Sequence, residues 1–148
     1  MLFPALGEDK NSAEEAIRKI FPEAQATAAE THTFEGQEVK AYRISAENKS
    51  IDWAIVLDEM GKVKPITFLV GIDAQGKVAG VAVLEYRDIF GSEIKRRSFL
   101  RQFQGKSLKD TLQVGRDVDA VTGATISSQA ATSAVRKALA LVAELHGE

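Results

Sequence analysis

The sequence lacks cysteine and has only two histidines, His32 and His146. Without cysteine, the chain can form no disulfide, thiolate nucleophile, zinc finger or iron–sulfur centre. Both histidines stand in segments expected to be exposed, and neither has a second ligand at helical or strand spacing. The sequence therefore offers no metal site and gives no support to a hydroxyl-nucleophile triad. Any redox chemistry must come from a bound organic cofactor.

The chain also lacks a charge excess and a long apolar run. Its 19 basic and 21 acidic residues give a formal net charge of −2, so nucleic acid is not expected as a partner. The apolar start, residues 1–7, has no basic region and is too short to be a complete signal peptide or a membrane-spanning helix. We expect residues 1–10 to be a flexible remnant of a leader or an anchor.

The length and the patterning predict one α+β domain over residues 1–148, with an antiparallel β-sheet packed against helices and a long C-terminal helix. A chain of 148 residues with 45% hydrophobic content can bury one core. Ser12 and Glu15 have the form of a capping box, which predicts a short helix that ends before Pro22. Apolar residues at helical spacing predict the last helix over about 126–145, and its small side chains permit close approach to the sheet.

Alternating and apolar runs predict strands at 39–44, 53–57, 66–73 and 78–86, the last two forming a hairpin. Residues 66–72 are nearly all apolar, so this strand is expected to be covered on both faces or to lie near the sheet centre. Gly71 and Gly80 indicate bulges or close packing by another element. Residues 24–35 show no clear period and are interpreted as a loop or an irregular strand.

The most informative segment runs from Asp119 to Ser128, where small and hydroxyl residues lead directly into the last helix. Unpaired N–H groups at a helix start attract an anion, and Gly123 and Ala124 leave room for it to approach the backbone. The segment predicts a phosphate site that also holds a hydroxyl nucleophile. Taken alone, the same residues also fit a simple helix cap, because Ser and Thr are favoured there without a ligand.

This segment resembles the FMN-binding domain family, whose members carry Asp-x-x-(Ser/Thr)-Gly-Ala-Thr and receive FMN as a phosphoester on the final threonine, Thr125 here. The stretch Asp88-Ile89-Phe90-Gly91 is similar to a second family signature, in which a strand ends in an acidic residue, two variable residues and glycine. The best-known members have Glu-Thr-Pro-Gly there. The family's later Phe-x-Gly-Lys is Phe103-Gln104-Gly105-Lys106, and the resemblance covers about residues 39–145.

The resemblance implies a role for each site residue. Thr125 would accept the FMN phosphoryl group, and Asp119 would serve recognition or metal binding in the encounter with the attaching enzyme. The flavin ring is expected between the Thr125 turn and the loop 88–92, where Phe90 is the aromatic residue with least reason to be buried. The other site residues have supporting roles. Thr122 would orient the turn, Gly123 and Ala124 would admit the phosphate, and Ser127 and Ser128 would donate hydroxyls beside the helical amides. Asp88 and Gly91 would line the second loop.

The resemblance further implies a flavin-carrying electron-transfer domain, an electron carrier or oxidoreductase subunit rather than a stand-alone enzyme. The family includes flavin subunits of the sodium-translocating NADH:quinone oxidoreductase and of the Rnf ferredoxin:NAD complex. Implied partners are a magnesium-dependent transferase that moves FMN from FAD, and a redox protein or membrane complex. The expected location is extracytoplasmic or membrane-associated in a bacterium, with leader or anchor absent from this chain. Two alternatives remain open, an FMN-binding sensory or regulatory domain and a flavin-free interaction module.

Overall fold

An antiparallel sheet organises the fold. A computed structural model describes residues 9–10, 12–47 and 50–146, with only the backbone of residues 9 and 10. Among these residues, the strands pair in the order β1-β6-β5-β4-β3-β2, so consecutive strands from β2 to β6 are neighbours. The strands are β1 (Asp9–Lys10), β2 (Ala26–Phe34), β3 (Gln37–Ser45), β4 (Ile51–Met60), β5 (Pro65–Ile72) and β6 (Val78–Tyr86).

The helices in the described part of the chain are α1 (Ala13–Ile20), α2 (Arg97–Leu100) and α3 (Thr125–His146), and 3₁₀ turns at Ser92–Lys95 and Arg101–Phe103 flank α2. Helix α1 begins as predicted, because the Ser12 hydroxyl accepts a hydrogen bond from the Glu15 amide at 3.1 Å. Helix α3 has 22 residues, which at 1.5 Å per residue is about 33 Å. The predicted α+β class and the long C-terminal helix are confirmed.

Helices α1 and α3 cover opposite faces of the sheet, since alternate residues of β5 enter two separate cores. Phe68 and Val70 belong to the larger core, where α3 packs on β4, β5 and β6. Leu69 belongs to the smaller core, where α1 packs on β5 and β6. The apolar run 66–72 is therefore covered on both faces, as its composition indicates. The small residues of α3 that face the larger core are all buried: Ala130, Ala131, Ala134 and Ala138.

The two strand glycines lie beneath the end of α1. Gly71 pairs with Gly80 across β5 and β6, and the register shifts next to this pair. A methyl group added at Gly71 would lie 2.8 Å from Ile20 Cγ2, and one added at Gly80 would lie 3.0 Å from Ile20 Cγ1. Both predicted reasons for glycine, a bulge and close packing by another element, are therefore present.

Residues 24–35, interpreted above as a loop or an irregular strand, contain the regular strand β2. This strand pairs with β3 over nine positions, and the hairpin turns through Glu35 and Gly36, which have φ values of 51° and 76°. Such positive values belong to the two-residue turns that favour hairpins. Most β2 side chains are exposed, so the strand lacks the apolar alternation by which a sequence reveals a half-buried strand.

The start of the chain was expected to be a flexible remnant. Residues 1–8 lie outside the described residues, whereas Asp9 and Lys10 pair with Tyr86 and Glu85 of β6. Within the described part of the chain, none of the helices combines the length and the apolar composition needed to span a bilayer.

Candidate functional site

The Thr125 turn presents its hydroxyl group to solvent. Thr125 is the first residue of α3 and is exposed, as are Thr122 and Gly123, whereas Ala124 is buried. Gly123 has a φ of 80°, and a methyl group there would meet no atom within 4 Å. Glycine is favoured at this position because of its backbone conformation, and the space beside it is open.

The first amides of α3 are available to an anion. The Ala124 amide donates to the Val121 carbonyl, and the Ser128 amide donates to the Ala124 carbonyl, both at 2.9 Å. Among the described residues, the amides of Thr125, Ile126 and Ser127 have no acceptor. Such free amides at the positive end of a helix dipole suit a phosphate or another anion.

Ser127 and Ser128 point the other way, into the protein. Both are buried, and the Ser128 hydroxyl donates to the Ala124 carbonyl at 2.8 Å while accepting from the Val121 amide at 3.1 Å. The Ser127 hydroxyl lies 3.0 Å from the Tyr86 hydroxyl. In this structure both hydroxyls are therefore engaged inside the protein, which differs from the predicted role beside the helical amides. Their phase on the helix turns them toward the sheet.

Tyr86, at the end of β6, joins the second loop to α3. Its hydroxyl donates to the Phe90 carbonyl, so it receives the bond from Ser127. Gly91 has a φ of 82°, and a methyl group there would clash with Ser127 Oγ and lie 2.8 Å from the Tyr86 hydroxyl oxygen. The loop 88–92 can approach the start of α3 this closely only because residue 91 is glycine.

The same contacts perturb the acidity of Tyr86. Burial raises the pKa of Tyr86 above its usual value, and the negative charges of Asp88 and Glu93 act in the same direction. The hydrogen bond from Ser127 opposes this shift. Tyr86 therefore stays neutral over the physiological pH range and can act as a fixed hydrogen-bond donor to the loop.

The Asp88 side chain makes its hydrogen bond inside the protein. It is buried, and its Oδ2 accepts a hydrogen bond from the Val63 amide at 2.9 Å. A methyl group added at Gly61 would lie 2.7 Å from the same oxygen. The carboxylate thus fixes the turn between β4 and β5 against the loop that follows β6.

These segments enclose an open cavity of about 250 Å³, to which Asp88 does not contribute. Two lining residues, Lys62 and Ile126, were not predicted from the sequence as part of the site. Lys62 lies on the turn fixed by Asp88, and its Nζ is 4.9 Å from the centre of the Phe90 ring. For Lys62, the available sequence signal is the glycine before it, which favours a turn between two strands but gives no indication of a contact with Phe90. The main lining residues are Lys62, Phe90, Gly91, Gly123, Thr125 and Ile126.

Phe90 differs in exposure from the aromatic residues of the core. It is 52% exposed, whereas those residues are buried. The buried aromatic residues are Trp53, Phe68, Phe99 and Phe103. An apolar ring left in a loop beside a cavity suits a ligand that covers it.

Asp119 precedes the turn and is exposed. The Gln102 side chain holds its backbone at both ends: the Asp119 amide donates to Gln102 Oε1 at 2.8 Å, and Gln102 Nε2 donates to the Asp119 carbonyl at 3.0 Å. The Asp119 carboxylate and the Thr122 hydroxyl form no hydrogen bond with a described residue. Both groups therefore face solvent on the approach to Thr125.

The cavity is chemically suited to a flavin mononucleotide. Free amides at the start of α3 suit the phosphate, the Lys62 ammonium adds a positive charge, and the exposed Phe90 ring offers an apolar face. Thr125 places a solvent-facing hydroxyl beside these groups. Among the described residues, no group of three or more acidic or histidine side chains is arranged to hold a metal ion.

A family model described as the FMN-binding domain matches residues 61–140, a range that includes both walls of the cavity. The chain belongs to the FMN-binding domain family. FMN is therefore its cofactor, and the flavin-free alternative is not supported.

Several curated proteins are similar to this FMN-binding domain, and each is a subunit of a redox complex. One, from the proton-translocating ferredoxin:NAD(+) oxidoreductase complex of Clostridium ljungdahlii, is 30% identical over 114 residues, which cover 72% of this chain and 61% of that protein. Another, from the ion-translocating oxidoreductase complex of Shewanella oneidensis, is 31% identical over 132 residues, covering 78% and 61%. Its counterpart from Methanosarcina acetivorans is 27% identical over 143 residues, covering 90% and 76%. The FMN-binding domain thus spans about three fifths of the length of the first two relatives.

Proposed function

We propose that this chain is an electron-transfer domain that carries FMN through a phosphoester on Thr125. The observation that carries the proposal is the exposed Thr125 hydroxyl at the start of α3, beside amides without acceptors and on the wall of the cavity. An inward-facing hydroxyl at this position would have contradicted the proposal.

Attachment requires a separate FAD- and magnesium-dependent transferase. Thr125 Oγ attacks the phosphorus on the flavin side of FAD, a new O–P bond forms, and the bond from that phosphorus to the oxygen of the AMP portion breaks. AMP leaves with that oxygen, and the threonine proton passes to a base of the transferase. Gly123 adds no side chain beside the reacting oxygen, and the exposed Asp119 carboxylate is positioned to meet the transferase or its magnesium ion.

The size of the cavity supports a covalent tether. Sites that hold cofactors by contact alone usually enclose about 300–1,000 Å³ and cover most of the ligand. This open cavity measures about 250 Å³, so it would enclose only part of an FMN molecule. A phosphoester removes dissociation as a constraint, so a shallow site can keep its cofactor and leave an edge of the ring accessible.

In this proposal the residues of the chain position the cofactor. The first-turn amides and Lys62 hold the phosphate, while Phe90 packs against the flavin ring. Tyr86, Ser127 and Gly91 fix the distance between the loop and the helix. FMN, when bound, supplies the capacity to accept and donate electrons that the side chains lack.

We also infer that the domain works within a membrane-associated redox complex, since the similar curated proteins are named as subunits of proton- or ion-translocating oxidoreductase complexes. We propose that it acts there as a carrier subunit at an extracytoplasmic face. A sensory or regulatory FMN domain would show a reversible redox titration but no electron exchange with a partner protein.

The direct test is the intact mass of the chain after coexpression with the transferase. The wild-type chain is expected to gain one FMN, and Thr125→Val is expected to gain none because it has no attacking oxygen. Thr125→Ser keeps the hydroxyl and should keep the adduct, and Thr111→Val is the matched control because it removes an exposed threonine hydroxyl outside the cavity. An FMN adduct on Thr125→Val would overturn the assignment.

A further inference from the structure

A second concave region, the basic groove, includes Lys95, whose ammonium group lies over the Tyr86 ring. It is bounded by the end of α1, by β6 and by α2 with its 3₁₀ turns, and it encloses about 620 Å³. Its floor consists of half-buried apolar side chains, including Ile20, Val81 and Leu100.

Four cationic residues line the basic groove: Lys19, Lys95, Arg97 and Arg101. No carboxylate is found among its described lining residues. Lys19, Arg97 and Arg101 are exposed and form no ion pair with a described residue. The chain as a whole carries a net charge of −2, so this cluster is a local reversal of sign. Such a reversal attracts anionic partners.

Several cations elsewhere in the described part of the chain are paired. Arg43 pairs with Glu30 at 2.9 Å, and Lys137 pairs with Glu59 at 2.8 Å. By contrast, Lys19, Arg97 and Arg101 lie together in the groove without an ion-pair partner among the described residues. Unpaired cations around an apolar floor are typical of a protein–protein interface whose partner supplies carboxylates and apolar side chains.

Tyr86 connects the basic groove to the flavin cavity through its contacts. Lys95 Nζ lies 5.9 Å from the centre of the Tyr86 ring, and the Tyr86 hydroxyl contacts Phe90 and Ser127 on the cavity side. The chain passes from Gly91 in the cavity to Lys95 in the groove within a single 3₁₀ turn. A partner seated in the groove would therefore lie next to the flavin.

We propose that the basic groove is the docking site for an acidic, extended segment of the protein that exchanges electrons with this domain. The inference rests on the proposed electron-transfer function. Protein is favoured over lipid because the apolar residues form the floor of a concave site, whereas a flat anionic bilayer is met by apolar side chains that protrude. Nucleic acid is disfavoured because no aromatic side chain is found among the described residues that line the groove, so bases have no ring to stack on.

The first experiment measures binding of a fluorescent peptide of alternating glutamate and valine to the flavin-loaded full chain, by fluorescence anisotropy. We expect binding that weakens with salt, and a loss of at least about tenfold in the double variant Arg97→Glu, Arg101→Glu. The matched control is Lys109→Glu, Arg116→Glu, which changes the net charge equally at exposed sites outside the groove and should change binding by less than about twofold. Equal losses in both double variants would overturn the proposal, because net charge alone would explain them.

Three further measurements test where the peptide binds and whether the groove serves electron transfer. Amide resonances of β6 and α2 should shift on peptide addition, and shifts confined to the Thr125 turn would contradict the groove. Vesicles of anionic phospholipid should bind weakly, so tight vesicle binding without peptide binding would indicate a membrane surface instead. Reduction of the bound flavin by a small acidic iron–sulfur protein should slow at least about tenfold in the groove variant, while reduction by a neutral small molecule stays unchanged.

Different experimental results would refute the flavin-carrier function and the docking site. Thr125→Val removes the flavin and leaves the groove intact, so this variant should bind the peptide as the wild-type chain does. Peptide binding without any FMN adduct on the wild-type chain would refute the carrier function alone. A normal adduct with peptide binding that does not depend on Arg97 and Arg101 would refute the docking site alone.

Discussion

The outer and inner sides of the first turn of α3 carry the same chemical group with opposite surroundings. Thr125 on the outer side is exposed and has no partner among the described residues, whereas Ser127 and Ser128 on the inner side are buried and hydrogen-bonded. The two-residue step from Thr125 to Ser127 turns the helix by about 200°, which takes the hydroxyl from solvent into the core. The outer hydroxyl is therefore available for chemistry, and the inner ones hold the turn that presents it. Substitutions on the two sides should separate stability from flavin attachment.

The largest effect on stability is expected at Gly91, where the loop meets the inner side. Gly91→Ala should lower the free energy of unfolding by about 3 kcal/mol, because a methyl group would clash with Ser127 and the left-handed backbone is strained for alanine. Gly123→Ala has a similar φ of 80° but open space around it, so it should cost only about 1 kcal/mol. Urea denaturation measures both, and equal losses would show that the contact with Ser127 contributes nothing.

Next in size is the removal of the Ser128 hydroxyl. Ser128→Ala leaves the Val121 amide without its acceptor, so the unfolding free energy should fall by about 1–3 kcal/mol. Ser133→Ala is the control, because Ser133 is half-buried later in the same helix and makes no hydrogen bond through its side chain to a described residue. Folded Ser128→Ala should still accept FMN. Unchanged stability with loss of the adduct would reverse the roles assigned to the two sides.

A smaller effect is expected for Ser127→Ala, about 0.5–1.5 kcal/mol, because it removes one hydrogen bond to Tyr86. The Tyr86 pKa, already raised above its usual 10.0 by burial, should rise further since the Ser127 bond lowers it. The raised pKa means that the stabilisation from Tyr86 is complete below about pH 10 and is lost as pH rises through the folded-state pKa. Tyrosinate absorbance during alkaline titration, with Tyr86→Phe to assign the signal, measures this shift. A downward shift would contradict the donor role of Ser127.

The smallest effect on stability is expected on the outer side. Thr125→Val should change the free energy of unfolding by less than about 0.5 kcal/mol, because Thr125 is exposed and makes no hydrogen bond through its side chain to a described residue. The same variant should lose all FMN attachment. Thermal denaturation of the flavin-free proteins measures the difference, and a large loss would show that Thr125 has a structural role.

Local patterns in the sequence predicted much of this arrangement. The apolar run of β5, its hairpin with β6, the cap at Ser12 and the small residues of α3 each depend on residues that are near in sequence. The segment 119–128 also predicted a phosphate site with a hydroxyl nucleophile at the start of the last helix. The sequence pattern did not distinguish the exposed Thr125 from the buried Ser127 and Ser128. Which side of the helix meets the sheet depends on packing against distant residues.

Contacts between distant segments were beyond the reach of the sequence. Lys62 and Phe90 are joined through the bond from the Val63 amide to Asp88, and Tyr86 reaches Ser127 across 41 positions. Strand β2 was not recognised as a regular strand because it is held by backbone pairing with β3 and by side-chain contacts such as the ion pair between Arg43 and Glu30. None of these interactions leaves a periodic signal in one segment.

The Gln102 side chain, which binds the Asp119 backbone from both ends, has a consequence for engineering. These two hydrogen bonds join residues that are 17 positions apart, and so hold together the ends of the segment between them. A longer or foreign sequence inserted at the exposed residues Lys109 and Asp110 should therefore leave the geometry at Thr125 undisturbed. This position is the natural place to append an affinity tag or a surface anchor to the flavin carrier.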